Sequence, residues 1–583
     1  MSQSTPEATV QAEETAVSQT HPEPAEGETQ TITGTPGSPG SAVAPVAVLA
    51  APPALPEQRP EVTDTAAETD RAHAALEQVA VGLETRAAGS GPEAAAVLGA
   101  QALMARDPQL GTNIAKEIGE GVPAAWAVHS AVAGYQDLLR AAGGYLAERA
   151  ADLADIRDRT VAVLLGVPMP GLPDPGHPYV LVADDLAPAD TAQLDPAKVL
   201  AIVTRRGGPT SHTVILARSL GIPAVIACGR AGELTDGVEV AVDGDRGEVV
   251  LNPTATQVAA AVERAERRQK ILAHSSGAGR TEDGVAVKLL LNVGAEDPGE
   301  SAAHDCEGVG LLRTEFLFLD RDTEPTPDEQ YESYARLFRA FGDRIITVRT
   351  LDAGSDKPLA FVAQGEEPNP ALGVRGFRTA RALPGLLERQ LAAIARAASD
   401  TGAHVRVMAP MISTPAEAAE FAELARAAGL AEVGVMIEVP GAALLARQVL
   451  DRVDFVSIGT NDLAQYTLAT DRMLDSLPDL LDPWQPGLLR LIQEVGTAGV
   501  ATDKPVGVCG EAAADPLLAL VLVGLGVSSL SMSAPSLAAV RYALARHTLA
   551  DCRDLAELAL AAAGPAQARD AVRGAADDEV AGL

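Results

Sequence analysis

The chain is poor in basic residues, in cysteine and in unbroken apolar runs, and each shortage excludes something. Its 583 residues carry 45 Lys and Arg against 79 Asp and Glu, a formal charge of −34. Such a balance repels nucleic-acid phosphates and anionic membrane surfaces unless a basic patch intervenes, and none is visible. The four cysteines, Cys228, Cys306, Cys509 and Cys552, lie far apart without metal-ligand spacing. With no secretory signature, they point to a reduced cytoplasmic setting. The first thirty residues hold six glutamates and no Lys or Arg; they lack the basic start and apolar block of a signal peptide and read as a disordered acidic leader, residues 1–30. The longest uncharged apolar stretch, Pro516 to Val540, is broken by Gly524, Gly526, serines and Pro535, which argues for a buried helix and strand and against direct membrane insertion.

What the chain does have is length enough for several cores, with a texture that changes along it. Residues 31–56, punctuated by Pro and Gly, suit short strands and tight turns. From about Val62 to Gly166 apolar residues recur at three and four, as in AVLGAQALMA, predicting a helical bundle. Strands return as YVLVADDL, KVLAIVT, PAVIAC and VEVAVDG. The bundle, residues 61–166, is therefore expected as an insertion in a small α/β domain made of 31–60 and 167–253. A polar helical linker, 254–283, follows. Residues 284–583 repeat strand and helix, with VKLLLNV, GVGLLR, RIITVRT, VRVMAPM, VGVMIEV, FVSIG, VGVCG and SLSMS as strands. Eight such strands predict a (β/α)₈ barrel, an open doubly wound sheet being the alternative.

Barrel chemistry sits at strand C-termini, and these strands close on Arg313, Arg349, Glu438, Asn461 with Asp462, and Cys509. Each alone reads as an ion pair, a cap or a small buried hydrophobe. Together they describe an anion site with a metal: two guanidiniums to grip phosphate or carboxylate, and two carboxylates of the kind Mg²⁺ takes. Cys509, opposite that site, is either a packing residue or a group that holds or donates a proton. In GGPTSHTVILARSLG a histidine, His212, opens an apolar helix behind glycines. A helix N-terminus welcomes a phosphoryl group on the ring; the plain reading is a surface histidine after an N-capping Ser211. Arg218, under two turns on, either holds that charge or lies on a solvated face.

These residues sit in motifs that resemble enzyme I of the bacterial sugar phosphotransferase system. They are GGPTSHT at 207–213, GVGLLRTEFLFLDRD at 308–322, VRTLDAGSDK at 348–357, NPALGVRGFR at 369–378, VMIEVPGA at 435–442, DFVSIGTNDLAQYTLATDR at 454–472 and GVCGEAAAD at 507–515. The resemblance runs from about Thr31 to the last helices. It implies that phosphoenolpyruvate binds with Mg²⁺ in the barrel, that His212 takes the phosphoryl group, and that the N-terminal half then swings to deliver it to a histidine of a phosphocarrier protein docked on the bundle. It implies Arg313, Arg349, Asn461, Asp462 and Arg472 as substrate-binding groups, with Lys357 and Arg375 as further contributors. Glu438 and Asp462 become the metal ligands, Cys509 the proton donor that turns enolpyruvate into pyruvate, and Thr191 a hydroxyl that orients His212. A homodimer through the barrel half is also implied. The chain departs from the family pattern at Pro209, Ser355, Val374 and Met473-Leu474. A phosphorylated regulator that docks partners without efficient turnover is the competing class.

Overall fold

The computed structural model describes residues 29–583 apart from 89–91, 143, 192–193, 208–211, 295–296, 319–320, 322, 355–358, 360, 362–366 and 472–476. Residues 1–28 of the acidic leader, Pro209, Ser355, Lys357, Arg472 and Met473-Leu474 fall outside the described residues. The leader's expected end at residue 30 is corrected, because Gln30 already pairs in the first strand.

The first part of the chain builds one mixed sheet. Three strands come from the N-terminal side, β1 (Gln30–Thr33), β2 (Thr35–Ser38) and β3 (Ser41–Val48). Five more follow the helical insertion: β4 (Tyr179–Ala183), β5 (Val199–Thr204), β6 (Ala224–Ile226), β7 (Glu239–Asp243) and β8 (Glu248–Leu251). Their order is β1-β8-β7-β3-β4-β5-β6-β2. The centre is parallel, with Val46 of β3 opposite Val180 of β4, and β7 and β2 flank it antiparallel. β4 is buried throughout, as expected of a parallel strand covered on both faces. The sequence pattern did not separate β2 or β8, which are short edge-side strands.

Between β3 and β4 the chain forms five helices, α1 (Thr65–Ala87), α2 (Pro92–Ala105), α3 (Pro108–Gly119), α4 (Ala124–Ala142) and α5 (Gly144–Leu165). Leu76, Val79, Ala80 and Leu83 of α1 fall on one stripe and join Leu110, Ile114 and Ile118 of α3 in a shared apolar core. Asp64 caps α1, accepting from the Ala66 and Ala67 amides. A 20-residue helix, Ala255–His274, leaves the sheet behind a Thr254/Gln257 capping box.

The C-terminal part is a closed barrel of eight parallel strands: β9 (Lys288–Val293), β10 (Gly308–Arg313), β11 (Ile345–Arg349), β12 (Val405–Ile412), β13 (Glu432–Ile437), β14 (Phe455–Ile458), β15 (Val506–Val508) and β16 (Ser529–Met532). Ser529 of β16 pairs with Lys288 of β9, which closes the ring and removes the open-sheet alternative. Strand alternation sorts the faces. In β12 Val405, Val407 and Ala409 join the core under the outer helices, whereas Met408 belongs to a lumenal cluster with Leu311, Met436, Phe455 and Cys509.

Candidate active site

The strand-end residues singled out from the sequence converge on the barrel mouth. Arg349, the last residue of β11, is buried; its Nη2 lies 2.9 Å from Glu315 Oε1 and its Nη1 3.3 Å from Asp352 Oδ2. Glu315 also accepts from the Asp352 amide at 2.9 Å, so both acids are fixed around one guanidinium. Arg375 is 2% exposed, its Nη1 3.3 Å from Asp462 Oδ1 and its Nη2 3.8 Å from Asp352 Oδ2; Nη1 also donates to Tyr466 Oη at 3.3 Å. Arg313 ends β10 exposed and carries no ion pair among the described residues. It is the cation presented outward.

Glu438 stands one residue past β13 and is buried. Its Oε2 accepts the Met411 amide at 2.7 Å. Burial, with the nearby charges of Asp462 and Asp352, pushes the carboxyl up to about 8; the Arg349 charge and the Met411 amide oppose this. Asp462 sits in the first turn of the Thr460–Leu468 helix and is buried as well. Among the described residues, Glu315, Asp352, Glu438 and Asp462 gather around the buried guanidiniums of Arg349 and Arg375. Carboxylate oxygens are the hard ligands a divalent cation takes. Among the described residues no group of three or more His, Cys, Asp or Glu side chains is placed to hold a metal ion; the sequence reading assigns Glu438 and Asp462, a two-carboxylate set. Such a set matches a cation whose other positions go to substrate and water.

Two buried polar atoms, Arg349 Nε and Thr460 Oγ1, have no hydrogen-bond partner among the described residues. Ligand oxygens would satisfy them. Asn461 Oδ1 accepts the Glu511 amide at 3.4 Å, which ties the β14 end to the β15 end. Cys509 is buried between them, and burial drives its thiol up to about 11 against the hydroxyl of Ser457. At neutral pH such a group is a thiol, not a thiolate.

His212 is the first residue of the His212–Leu220 helix, as the turn signals imply, with Gly207 at φ +108° in the approach. Its ring lies outside the described residues. Arg218, on the same helix, donates from Nε to Gly37 O at 2.8 Å and reaches Glu511 Oε2 with Nη1 at 3.5 Å, so this helix stands beside the Cys509 strand end. Thr191 is buried at the end of a short helix, Pro188–Thr191, with Oγ1 3.4 Å from Ala187 O. Next to it Asp190 meets Arg159 of α5 at 3.2 Å, and Arg159 meets Asp155 at 2.8 Å, all three buried.

Sequence reasoning passed over Glu315, Asp352, Tyr466, Ser457 and the Arg159 cluster. Glu315 and Asp352 lie within three residues of a strand-ending arginine, and that spacing was the available signal.

Comparison with known proteins fits this geometry. Residues 268–549 match the family described as "PEP-utilising enzyme, PEP-binding domain", 175–247 the "PEP-utilising enzyme, mobile domain", and 33–149 the "PEP-utilising enzyme, N-terminal". The phosphoenolpyruvate-protein phosphotransferase of Streptomyces coelicolor is 51% identical over 521 residues, 89% of this chain and 94% of that one. That of Haloferax volcanii is 40% identical over 85% and 89%. A multiphosphoryl transfer protein of Xanthomonas campestris is 41% identical over 81% of this chain and 58% of its own. Among solved structures, an NMR structure titled as Enzyme I is 31% identical over 41% of this chain and 99% of its own, with a TM-score of 0.35. No helix of the described residues is long and apolar enough to cross a membrane. With identity of this depth over 89% of the chain and family matches running from residue 33 to 549, the chain belongs to the phosphoenolpyruvate-protein phosphotransferase family, that of enzyme I.

Proposed function

We propose that the chain takes the phosphoryl group of phosphoenolpyruvate onto His212 and passes it to a histidine of a small phosphocarrier protein, releasing pyruvate at the head of a sugar phosphotransferase system in the cytoplasm. The observation that carries this reading is the buried cluster of Glu438, Asp462, Arg349 and Arg375 at the strand ends, directly beside Cys509 and the helix of His212.

Phosphoryl transfer asks mainly for positioning and for positive charge around the transferred group. Arg313 offers an unpaired guanidinium to the substrate's anionic oxygens, and Arg349 offers its free Nε from a fixed position. Arg472 and Lys357 add positive charge for the substrate. Asn461 spans β14 and β15 and can donate an amide to the substrate. Arg375 is turned toward Asp352 and Asp462 and acts by holding them. Glu438 and Asp462 would hold Mg²⁺. When bound, the ion neutralises charge on the substrate's oxygens and lowers the raised carboxyl of Glu438 into its ionised form. Thr191 orients the ring of His212, and Arg218 meets the phosphoryl group once it is on that ring, exchanging Glu511 for it. Cys509, held protonated by burial, gives its proton to the enolpyruvate carbon.

The His212 helix serves both the barrel and a separate carrier, so the sheet domain has to move between them, with the Ala255–His274 helix as its connection. The inserted bundle is the docking surface for the carrier. The exposed side chains of Leu444 and Leu445 on the barrel exterior support a homodimer through that half. The docking-regulator alternative has nothing comparable behind it: such a protein has no use for a desolvated carboxylate pair beside a protonated thiol.

Mass spectrometry of the protein mixed with phosphoenolpyruvate and Mg²⁺ tests the reading. One acid-labile phosphoryl group is expected, absent from His212→Ala; unlabelled wild-type protein under these conditions would refute it.

A further inference from the structure

The lumen below the mouth is unusually polar. Interior positions in such barrels are ordinarily stacked layers of branched aliphatic side chains. Here Thr347, Arg406, Ser457, Ser529 and Ser531 line one small cavity with room for about one water molecule. Two glycines keep it open. A Cβ on Gly507 would lie 2.8 Å from Ser529 Oγ and 3.7 Å from Ser457 Oγ, and one on Gly310 would lie 2.5 Å from Ser531 Oγ. Gly507 is two residues before Cys509 on an extended strand, so the room it leaves lies on the thiol's own face.

Arg406 is 8% exposed, donates from Nε to Thr347 Oγ1 at 3.1 Å and stacks 4.5 Å from the Phe455 ring centroid. Its Nη1 and Nη2 make no hydrogen bond among the described residues. Ser457, buried at the upper end, is the cavity hydroxyl that acts on the Cys509 thiol, and the thiol itself donates to Ile458 O at 3.7 Å. At the lower end Gly507 and Ser529 are half-buried and Pro505 is exposed, so the floor of the cavity meets solvent. Ser531 donates to Asn292 Oδ1 at 2.6 Å, and Asn292 Nδ2 donates to Cys509 O at 3.1 Å, which fixes the thiol's backbone over the cavity.

We propose that Cys509 is reprotonated from below, through Ser457 and a water held against Arg406, while product still closes the mouth. The inference rests on the reading of Cys509 as the donor to enolpyruvate. In the first step the S–H bond breaks, a C–H bond forms at the methylene carbon, and the enolate electrons close the ketone carbonyl. The sulfur keeps the electron pair of its broken bond. Ser457 then gives its hydroxyl proton to sulfur as it accepts one from the cavity water, and the Arg406 charge holds the hydroxide until solvent at the floor returns a proton. One solvent proton is consumed per turnover. In this route Ser457 is the group that hands the proton to sulfur; Arg406 and Gly507 act through the water.

Exchange of pyruvate methyl protons in D₂O, followed by NMR with the full-length enzyme and Mg²⁺, reads this route separately from phosphoryl transfer. Ser457→Ala should slow exchange at least about tenfold more than it slows single-turnover phosphorylation of His212 by phosphoenolpyruvate. Ser457→Thr, which retains the hydroxyl, should restore exchange. Gly507→Ala, which fills the cavity and leaves hydroxyl and thiol in place, should slow exchange likewise. Parental exchange in both Ser457→Ala and Gly507→Ala would overturn the route, as would an equal loss of exchange and of His212 phosphorylation in Ser457→Ala. Cys509→Ala separates the two readings: if it abolishes exchange while Ser457→Ala does not, only the route fails, and if it exchanges normally, the donor role fails with it.

Discussion

Glu438 occupies the space that a side chain on Gly459 would need: a Cβ there would lie 2.7 Å from Glu438 Oε1 and 2.8 Å from its Cγ. The neighbour is a buried carboxylate pinned by the Met411 amide, so it has little room to give. Gly459→Ala should therefore turn the carboxylate away from Asp462 and weaken Mg²⁺ binding about 10- to 100-fold, the usual cost of disturbing a ligand's support. Titration calorimetry with Mg²⁺, alongside a far-UV spectrum to confirm the fold, checks this.

The Cys509 thiol, pushed up by burial to about 11, should resist alkylation at neutral pH far more than the partly exposed Cys306. Its folded value is above the ordinary 9, so the folded protein binds this proton more tightly than the unfolded chain. The contribution to stability is complete below about 9 and disappears as pH rises through 11. Labelling with iodoacetamide across pH, read by peptide mass, should place Cys509 modification on that upper limb. Rapid modification at pH 7 would contradict it.

Arg159 is the cation between two buried acids, Asp155 and Asp190, both raised chiefly by desolvation and held down by Arg159. Removing it in Arg159→Met takes away the cation that bonds both acids, leaves the Arg86 charge to offset them, and should cost up to about 3–5 kcal/mol. The loss should shrink as pH falls, because protonating the acids removes the buried charge. Denaturant unfolding at pH 7 and pH 5 measures both effects. The variant should also phosphorylate His212 slowly, since Asp190 adjoins Thr191.

Much of this was legible in the sequence for a physical reason. A barrel puts chemistry at strand C-termini, so Arg313, Arg349, Glu438 and Cys509 stand out as polar residues ending apolar runs. Glu315 and Asp352 did not, because a charge in a loop reads as solvated until its partner's burial is known. Arg406 and Ser457 were hidden by alternation: inside an apolar strand, which face meets the lumen depends on register and closure. The mixed order of the first sheet was equally out of reach, since β1 pairs with β8 and β2 with β6, strands distant in the chain.

The helical insertion leaves the sheet after β3 and returns at β4, and those two strands are immediate neighbours. A body suspended from adjacent points is tied a third time where Arg159 meets Asp190. Under the proposed function, a carrier docked on those helices is expected to ride with the sheet, loaded carrier and feeding residue travelling as a single cargo.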